Sequence, residues 1–352
     1  MPVPDGVVNL RVMLARFFHA WERRLHASTS DRVVRPFEWG LDWIPANGFY
    51  PGLPPEARLE AWVSRVLDDT DAFFAEEPTS DYECSPGGHL RYPSQLVTPH
   101  PVNNVVHARY FPGRHRGRAT PRRAVVVLPQ WNADAEGHVG LAQLLAAFGV
   151  SALRLSLPYH DERMPPELNR ADYIVSANIA RTLQVCRQAV LDARRAVSWL
   201  VGQGYERIGI LGTSLGSCLA MLTAAHEPRI RAAALNHVSA YFADVVWEGL
   251  STSHVREGLE GHVDPDRLRR LWMPISPRFY LERMRNTATL LVYAKYDLSF
   301  PVHFSLDLIR AWDALAMPHE VAVLPCGHYS TGLTPFKWVD GYYLTRFLRE
   351  NL

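Results

Sequence analysis

Nowhere in its 352 residues does the chain run for about 18 uninterrupted apolar residues, which excludes an ordinary membrane-spanning helix and any integral membrane association. Cysteine is scarce: Cys84, Cys186, Cys218 and Cys326 fall at no close paired spacing and form no zinc-like Cys/His pattern, so no metal site is implied. Net charge is nearly absent. The 37 Lys and Arg against 36 Asp and Glu leave a formal +1, which gives no global reason to expect nucleic acid or an anionic membrane as partner. The N-terminus lacks a compact secretory apolar region, because Asp5, Arg11, Arg16, Glu22, Arg23 and Arg24 interrupt its pattern, and a reducing cytoplasm is the expected location. A dinucleotide fingerprint is missing too. Gly202-Gln203-Gly204 leads into a strand rather than opening a helix, so no organic cofactor is called for.

What the chain does have is 47% hydrophobic and 21% charged residues, enough to bury a large core as one catalytic domain with an accessory segment. Its most informative feature is Gly212-Thr213-Ser214-Leu215-Gly216. An apolar strand pattern, Arg207 to Leu211, precedes it, and a helix-compatible stretch, Ser217 to Leu222, follows. A strand that turns abruptly into a helix holds the serine hydroxyl up at the turn and needs small residues two before and two after it. Both glycines meet that need.

An acid and a base for Ser214 lie downstream. The apolar segment Thr289 to Ala294 ends at Lys295-Tyr296-Asp297, and a second, Glu320 to Leu324, ends at Pro325-Cys326-Gly327-His328. Each candidate thus follows a strand, where loops converge above an α/β sheet. His328 is expected to take the proton from Ser214 while Asp297 orients the imidazole and stabilises its charged form. Asp244 and Glu248, after the strand Ala232 to Asn236, are rival acids, and Asp297 could instead cap a helix beginning near Pro301. Cys218 and Cys326 sit close to Ser214 and His328 in sequence but read as core and loop packing.

The remaining pattern is a β-α-β rhythm. Ala124 to Leu128 reads as a strand, Gly137 to Phe148 as a helix, Ala152 to Leu157 as a strand and Ser176 to Val201 as a long helix. The basic run Arg114 to Arg123 lies between two apparent strands and reads as a solvated hairpin loop. Residues 1–99 are expected to form accessory helices and extended pieces packed on a catalytic domain of residues 100–352. Val8 to Leu25 has an apolar face of Leu10, Leu14, Phe17, Phe18 and Trp21; residues 37–49 read as extended pieces and turns; Pro54-Pro55-Glu56 opens a helix running to Phe74. Between His237 and Thr289 the connection exceeds a simple crossover, and helical stretches at 242–250 and 266–272 predict a cap insertion over residues 240–287.

With the turn, acid and histidine in this order, the chain resembles the α/β-hydrolase family, in its serine-hydrolase branch with a helical cap, over about residues 100–350. The resemblance implies an α/β fold with a mostly parallel central sheet flanked by helices. It also implies an oxyanion hole from the Leu215 backbone N–H and a second donor in the loop Pro129-Gln130-Trp131-Asn132, at Gln130 or Trp131. That loop departs from the His-Gly pair of many relatives. The stretch Leu157 to Pro165 resembles a proline-aromatic loop of a family subgroup, which would bring Tyr159 and His160 toward the pocket as substrate neighbours rather than catalytic groups. Tyr241 and Trp247, with Trp131 and Tyr159, are candidates for an apolar or aromatic substrate surface. The expected activity is that of a serine carboxylesterase or related acyl-ester hydrolase acting on a small-molecule ester through an acyl-enzyme. A peptidase or amidase, a lipase, or a noncatalytic binding scaffold of the same fold are the alternatives.

Overall fold

The computed structural model describes residues 5–45, 52–113 and 121–352. Residues 46–49 of the expected extended region, and 114–120 of the basic run, lie outside the described residues. Nine strands form one sheet: β1 (Glu83–Cys84), β2 (His89–Pro93), β3 (Val105–Phe111), β4 (Arg123–Leu128), β5 (Ser151–Leu155), β6 (Arg207–Thr213), β7 (Ile230–Asn236), β8 (Ala288–Ala294) and β9 (Glu320–Leu324), in the order β1-β2-β3-β5-β4-β6-β7-β8-β9. The first strands pair antiparallel, up to the β3–β5 contact, and every later pair is parallel. The sheet is therefore mixed and mostly parallel, with helices on both faces. It begins at Glu83, so the region before residue 100 contributes two edge strands as well as helices.

The central strands show why the chain folds this way. Along β4, Ala124, Val126 and Leu128 enter one apolar core while Val125 and Val127 enter the other, and β6 and β7 alternate likewise. A strand buried on both faces needs parallel neighbours and helical cover. The helix Ile179–Gly202 supplies that cover on one side. Leu344, Phe347 and Leu348 of the helix Phe336–Asn351, with Ala142 and Leu145 of the helix Val139–Ala147, supply it on the other. The same requirement corrects the expected hairpin at the basic run. Since β5 lies between β3 and β4, and β3 takes its register from β5 (Tyr110 opposite Leu153), the run joins two strands that are not neighbours.

The C-terminal half of the helix Asp5–His26 packs on the rest of the protein. Phe18 stacks on Tyr296 with ring centres 4.5 Å apart, and Trp21 meets Phe336. Leu10, Leu14 and Phe17 remain exposed, so the apolar face expected from the sequence is covered over about half its length. Between β7 and β8 the chain makes a cap-like helical insertion that includes the helices Phe242–Glu248, Ser253–Leu259 and Pro265–Leu271. Among the described residues no helix is long and apolar enough to cross a membrane.

Candidate active site

Ser214 stands between β6 and the helix Leu215–His226 at φ 57°, ψ −119°, a conformation that costs a non-glycine residue on the order of 1–3 kcal/mol. The surroundings enforce it. Ser214 N–H donates to Asn236 O at 2.8 Å, fixing the turn to the end of β7. A Cβ on Gly212 would lie 2.1 Å from Gly216 O, and one on Gly216 would lie 2.2 Å from Leu128 O. No side chain fits at either place, so the spacing of the two glycines is a steric requirement of the turn.

Asp297, just beyond β8, accepts four hydrogen bonds. Its Oδ1 takes the backbone N–H groups of Ser299 and Phe300 at 2.8 and 2.7 Å. Its Oδ2 takes Nδ1 of His328 at 2.9 Å and Nδ1 of His237 at 2.8 Å. Both histidines therefore carry their proton on Nδ1, leaving each Nε2 as an acceptor. Burial works against ionisation of Asp297, yet His328 and His237 hold its carboxyl well below the usual carboxylate range. Burial pulls on His328 in the opposite sense from Asp297, but Asp297, helped by Glu22, prevails and raises its pKa. His237 goes down, through burial and repulsion from His328. The ring of Phe300 stacks parallel on His328 at 5.4 Å, so the imidazole is fixed by its acid and by one face.

These three residues also hold atoms within 4.8 Å of one another that could ligate a metal ion, the only such grouping among the described residues. Both Nδ1 atoms are engaged with Asp297 Oδ2, and its Oδ1 with two backbone donors. A cation would have to displace that network. The rival acids are engaged elsewhere, Asp244 with Arg269 at 2.9 Å and Glu248 with His303 at 3.5 Å.

His328 is held from a distance as well. Glu22, fully buried at the end of the N-terminal helix, accepts hydrogen bonds from Tyr329 N (2.7 Å), Ser330 N (3.0 Å) and Ser330 Oγ (2.7 Å), the residues that follow the histidine. Its carboxyl occupies the place a side chain on Gly327 would fill. Neither Glu22 nor His237 was expected at the site. His237 follows a strand end, as Asp297 and His328 do, and Glu22 lies four residues after Phe18 on the apolar stripe; both signals were present in the sequence.

Ser214 and His328 line one cavity of about 790 Å³, together with Gln130, Trp131, Asn132 and His237. Among the described residues, no hydrogen bond joins the Ser214 hydroxyl to His328; such bonds commonly tighten only with substrate. The loop after β4 lies against the start of the Ser214 helix. It is braced from behind: His160 Nδ1 donates to Pro158 O, and its Nε2 accepts Asn132 N–H at 2.9 Å, while Trp131 Nε1 donates to Ala171 O. Burial lowers the His160 pKa to about 4, which keeps it neutral and able to accept that bond. Tyr159 is buried, with His100 Nδ1 3.0 Å from its hydroxyl. Tyr159 and His160 therefore lie behind the cavity wall rather than on it. A second cavity, of about 40 Å³, opens beside Ser214 and is lined by Trp131, Leu215, Cys218 and Tyr241 among others. Trp247 lines neither cavity and packs against the core.

No protein-family model matches the chain, and no curated protein matches it by sequence. Solved structures do match in fold. An acylaminoacyl peptidase from Pyrococcus horikoshii superposes with a TM-score of 0.57 at 14% identity, over 78% of this chain and 42% of that one. This chain thus spans about two fifths of the peptidase. An acetyl xylan esterase from Paenibacillus gives a TM-score of 0.59 at 16% identity, covering 88% of this chain and 98% of its own, and a lipase in an open form gives 0.53 at 11%, covering 74% and 98%. The protein has the α/β-hydrolase fold.

Proposed function

We propose that the protein is a serine acyl hydrolase that cleaves carboxylic esters through an acyl-enzyme. Ser214 attacks the ester carbonyl as His328 Nε2 takes its proton; Asp297 keeps the imidazole in the Nδ1–H form and stabilises the imidazolium. The oxyanion would face Leu215 N–H at the start of its helix and a backbone N–H of Gln130 or Trp131, in a loop whose position His160 fixes. His328 then protonates the departing alcohol and activates water against the acyl-enzyme. The 2.9 Å bond between His328 Nδ1 and Asp297 Oδ2, at the wall of a cavity shared with Ser214, carries this assignment.

The test is labelling with a fluorophosphonate together with turnover of p-nitrophenyl esters. Wild type should be labelled and active, and Ser214→Ala should be neither. Labelling at Ser214 with amide but no ester turnover would move the activity to a peptidase or amidase. No labelling in a folded protein would favour a noncatalytic binding scaffold.

A further inference from the structure

Two cavities of very different size and chemistry meet at Ser214, and the positions of the candidate base and of the oxyanion donors decide which part of an ester each would hold. The smaller, about 40 Å³, is walled by Val175, Leu215, Cys218, Phe242, Val246 and Pro277. His328 and His237 do not line it. The larger, about 790 Å³, contains both histidines. In ester cleavage the leaving oxygen must depart on the side of the base, because His328 hands its proton to that atom; the acyl group stays on the serine and points away. The apolar pocket therefore belongs to the acyl chain and the large cavity to the alcohol.

The size of the first sets a limit. At about 40 Å³ it is far smaller than its neighbour of about 790 Å³, so it suits a short chain. Its walls offer such a chain no charged partner. The large cavity has the opposite character. Its charged side chains nearly balance, with Arg32, Arg170 and Lys337 against Asp31 and Glu136, while burial raises the Asp340 pKa to about 7 and so favours its neutral form. Several are already paired, Arg170 with Asp31 at 3.0 Å and Glu136 with Arg109 at 2.7 Å. Between them lie the amides and hydroxyls of Gln130, Asn132, Thr29, Thr213 and Thr331, which hydrogen-bond in both senses. A charged leaving group would meet little net opposite charge there, and an apolar one would strip water from these groups without replacing their bonds.

We infer that the substrate of this site is a short-chain acyl ester of a neutral, polyhydroxylated alcohol. This rests on the assignment of Ser214 as nucleophile and adds to it the identity of both halves of the ester.

The experiment measures kcat/KM for two series. In the first, acetyl, butyryl, hexanoyl and octanoyl esters share the p-nitrophenyl leaving group; in the second, butyrate is esterified to glycerol, to a hexose, to choline, to glycerol phosphate and to an alkyl alcohol. The expected result is a maximum at butyryl or below, with a fall of about tenfold or more by octanoyl, and faster release from glycerol and the hexose than from the cationic, anionic or alkyl alcohols. Val246→Ala and, separately, Phe242→Ala should move the maximum to longer chains. Val246→Ala removes only two methyl groups, so it keeps the test open if Phe242→Ala does not fold. A Ser214-labelled enzyme that prefers octanoyl, or that releases the alkyl or charged alcohol faster, would overturn this inference while leaving the serine hydrolase intact. Absence of Ser214 labelling would instead overturn the assignment of the nucleophile.

Discussion

Replacing Glu22 with glutamine should slow catalysis in a protein that still folds, although residue 22 lies far from Ser214 in the sequence. The glutamine keeps the side-chain volume and one acceptor oxygen for the two Ser330 donors but sets an NH₂ group against the Tyr329 N–H that the second oxygen now accepts. A buried hydrogen bond to a charged group contributes about 1.5–3 kcal/mol, and the donor left unpaired costs about as much again when it cannot reach water. Part of that cost will be relieved by movement of Tyr329 and Ser330, and that movement carries His328 off the line from Asp297 to Ser214. Taking about 1.5–3 kcal/mol against the productive position, kcat/KM should fall by about tenfold to a hundredfold. Glu22 also supports the positive charge on His328. The pKa of His328 is raised in the wild type, so losing this support lowers it, and the acid limb of kcat/KM, set by protonation of the base, moves to lower pH. The assay is a pH–rate profile of Glu22→Gln on an activated ester beside its thermal melt. An unchanged acid limb with kcat/KM within about twofold of wild type, whatever the melt shows, would refute the positioning role and leave Glu22 as a fold anchor.

Asp297→Asn should leave a folded protein whose kcat is lower by about 10⁴, since the amide no longer enforces the Nδ1–H form of His328; activity with circular dichroism checks both halves. Gly216→Ala should fail to give soluble native protein or should melt far below wild type, because its Cβ would lie 2.2 Å from Leu128 O; a near-normal melt would contradict the close approach. Burial raises the Asp340 pKa to about 7, so the folded state holds a proton that the unfolded state releases near pH 4, and stability drains away as pH rises from about 4 to 7. Asp340→Asn keeps an acceptor for the 2.9 Å bond from Asn236 Nδ2 and should raise the melting temperature at pH 8 relative to wild type by more than it does at pH 5.

The parts of the fold and site that rest on local pattern were legible in the sequence. The apolar run Ala124 to Leu128 marked a strand, and the spacing of Gly212 and Gly216 marked a turn that needs small residues on either side of the serine. Asp297 and His328 were found because each follows a strand, and the structure brings them within a hydrogen bond of each other. What escaped depends on residues that meet only in three dimensions. The order β3-β5-β4 is a matter of which edge a strand joins, which the apolar run cannot state. Tyr159 and His160 drew attention through the resemblance of their loop to one of a family subgroup, but burial commits His160 to bracing Asn132 and Tyr159 to His100. His237 could have been found by the strand-end rule that found the other two. Glu22 had only its place on an apolar stripe to mark it, and nothing local names the loop it would reach.

The bond from Tyr329 to Glu22 joins residues 307 apart in the chain. During synthesis the acceptor must wait until 307 further residues have been added before its donor exists. Until then a carboxylate destined for complete burial has no native partner. Under the proposed mechanism, turnover would need this clasp in place, and a cut between the helix and the sheet should lower it without touching any group that meets the substrate. Attaching a fusion partner ahead of Asp5 should therefore be judged by turnover, since yield and solubility would not report whether the helix has found its place.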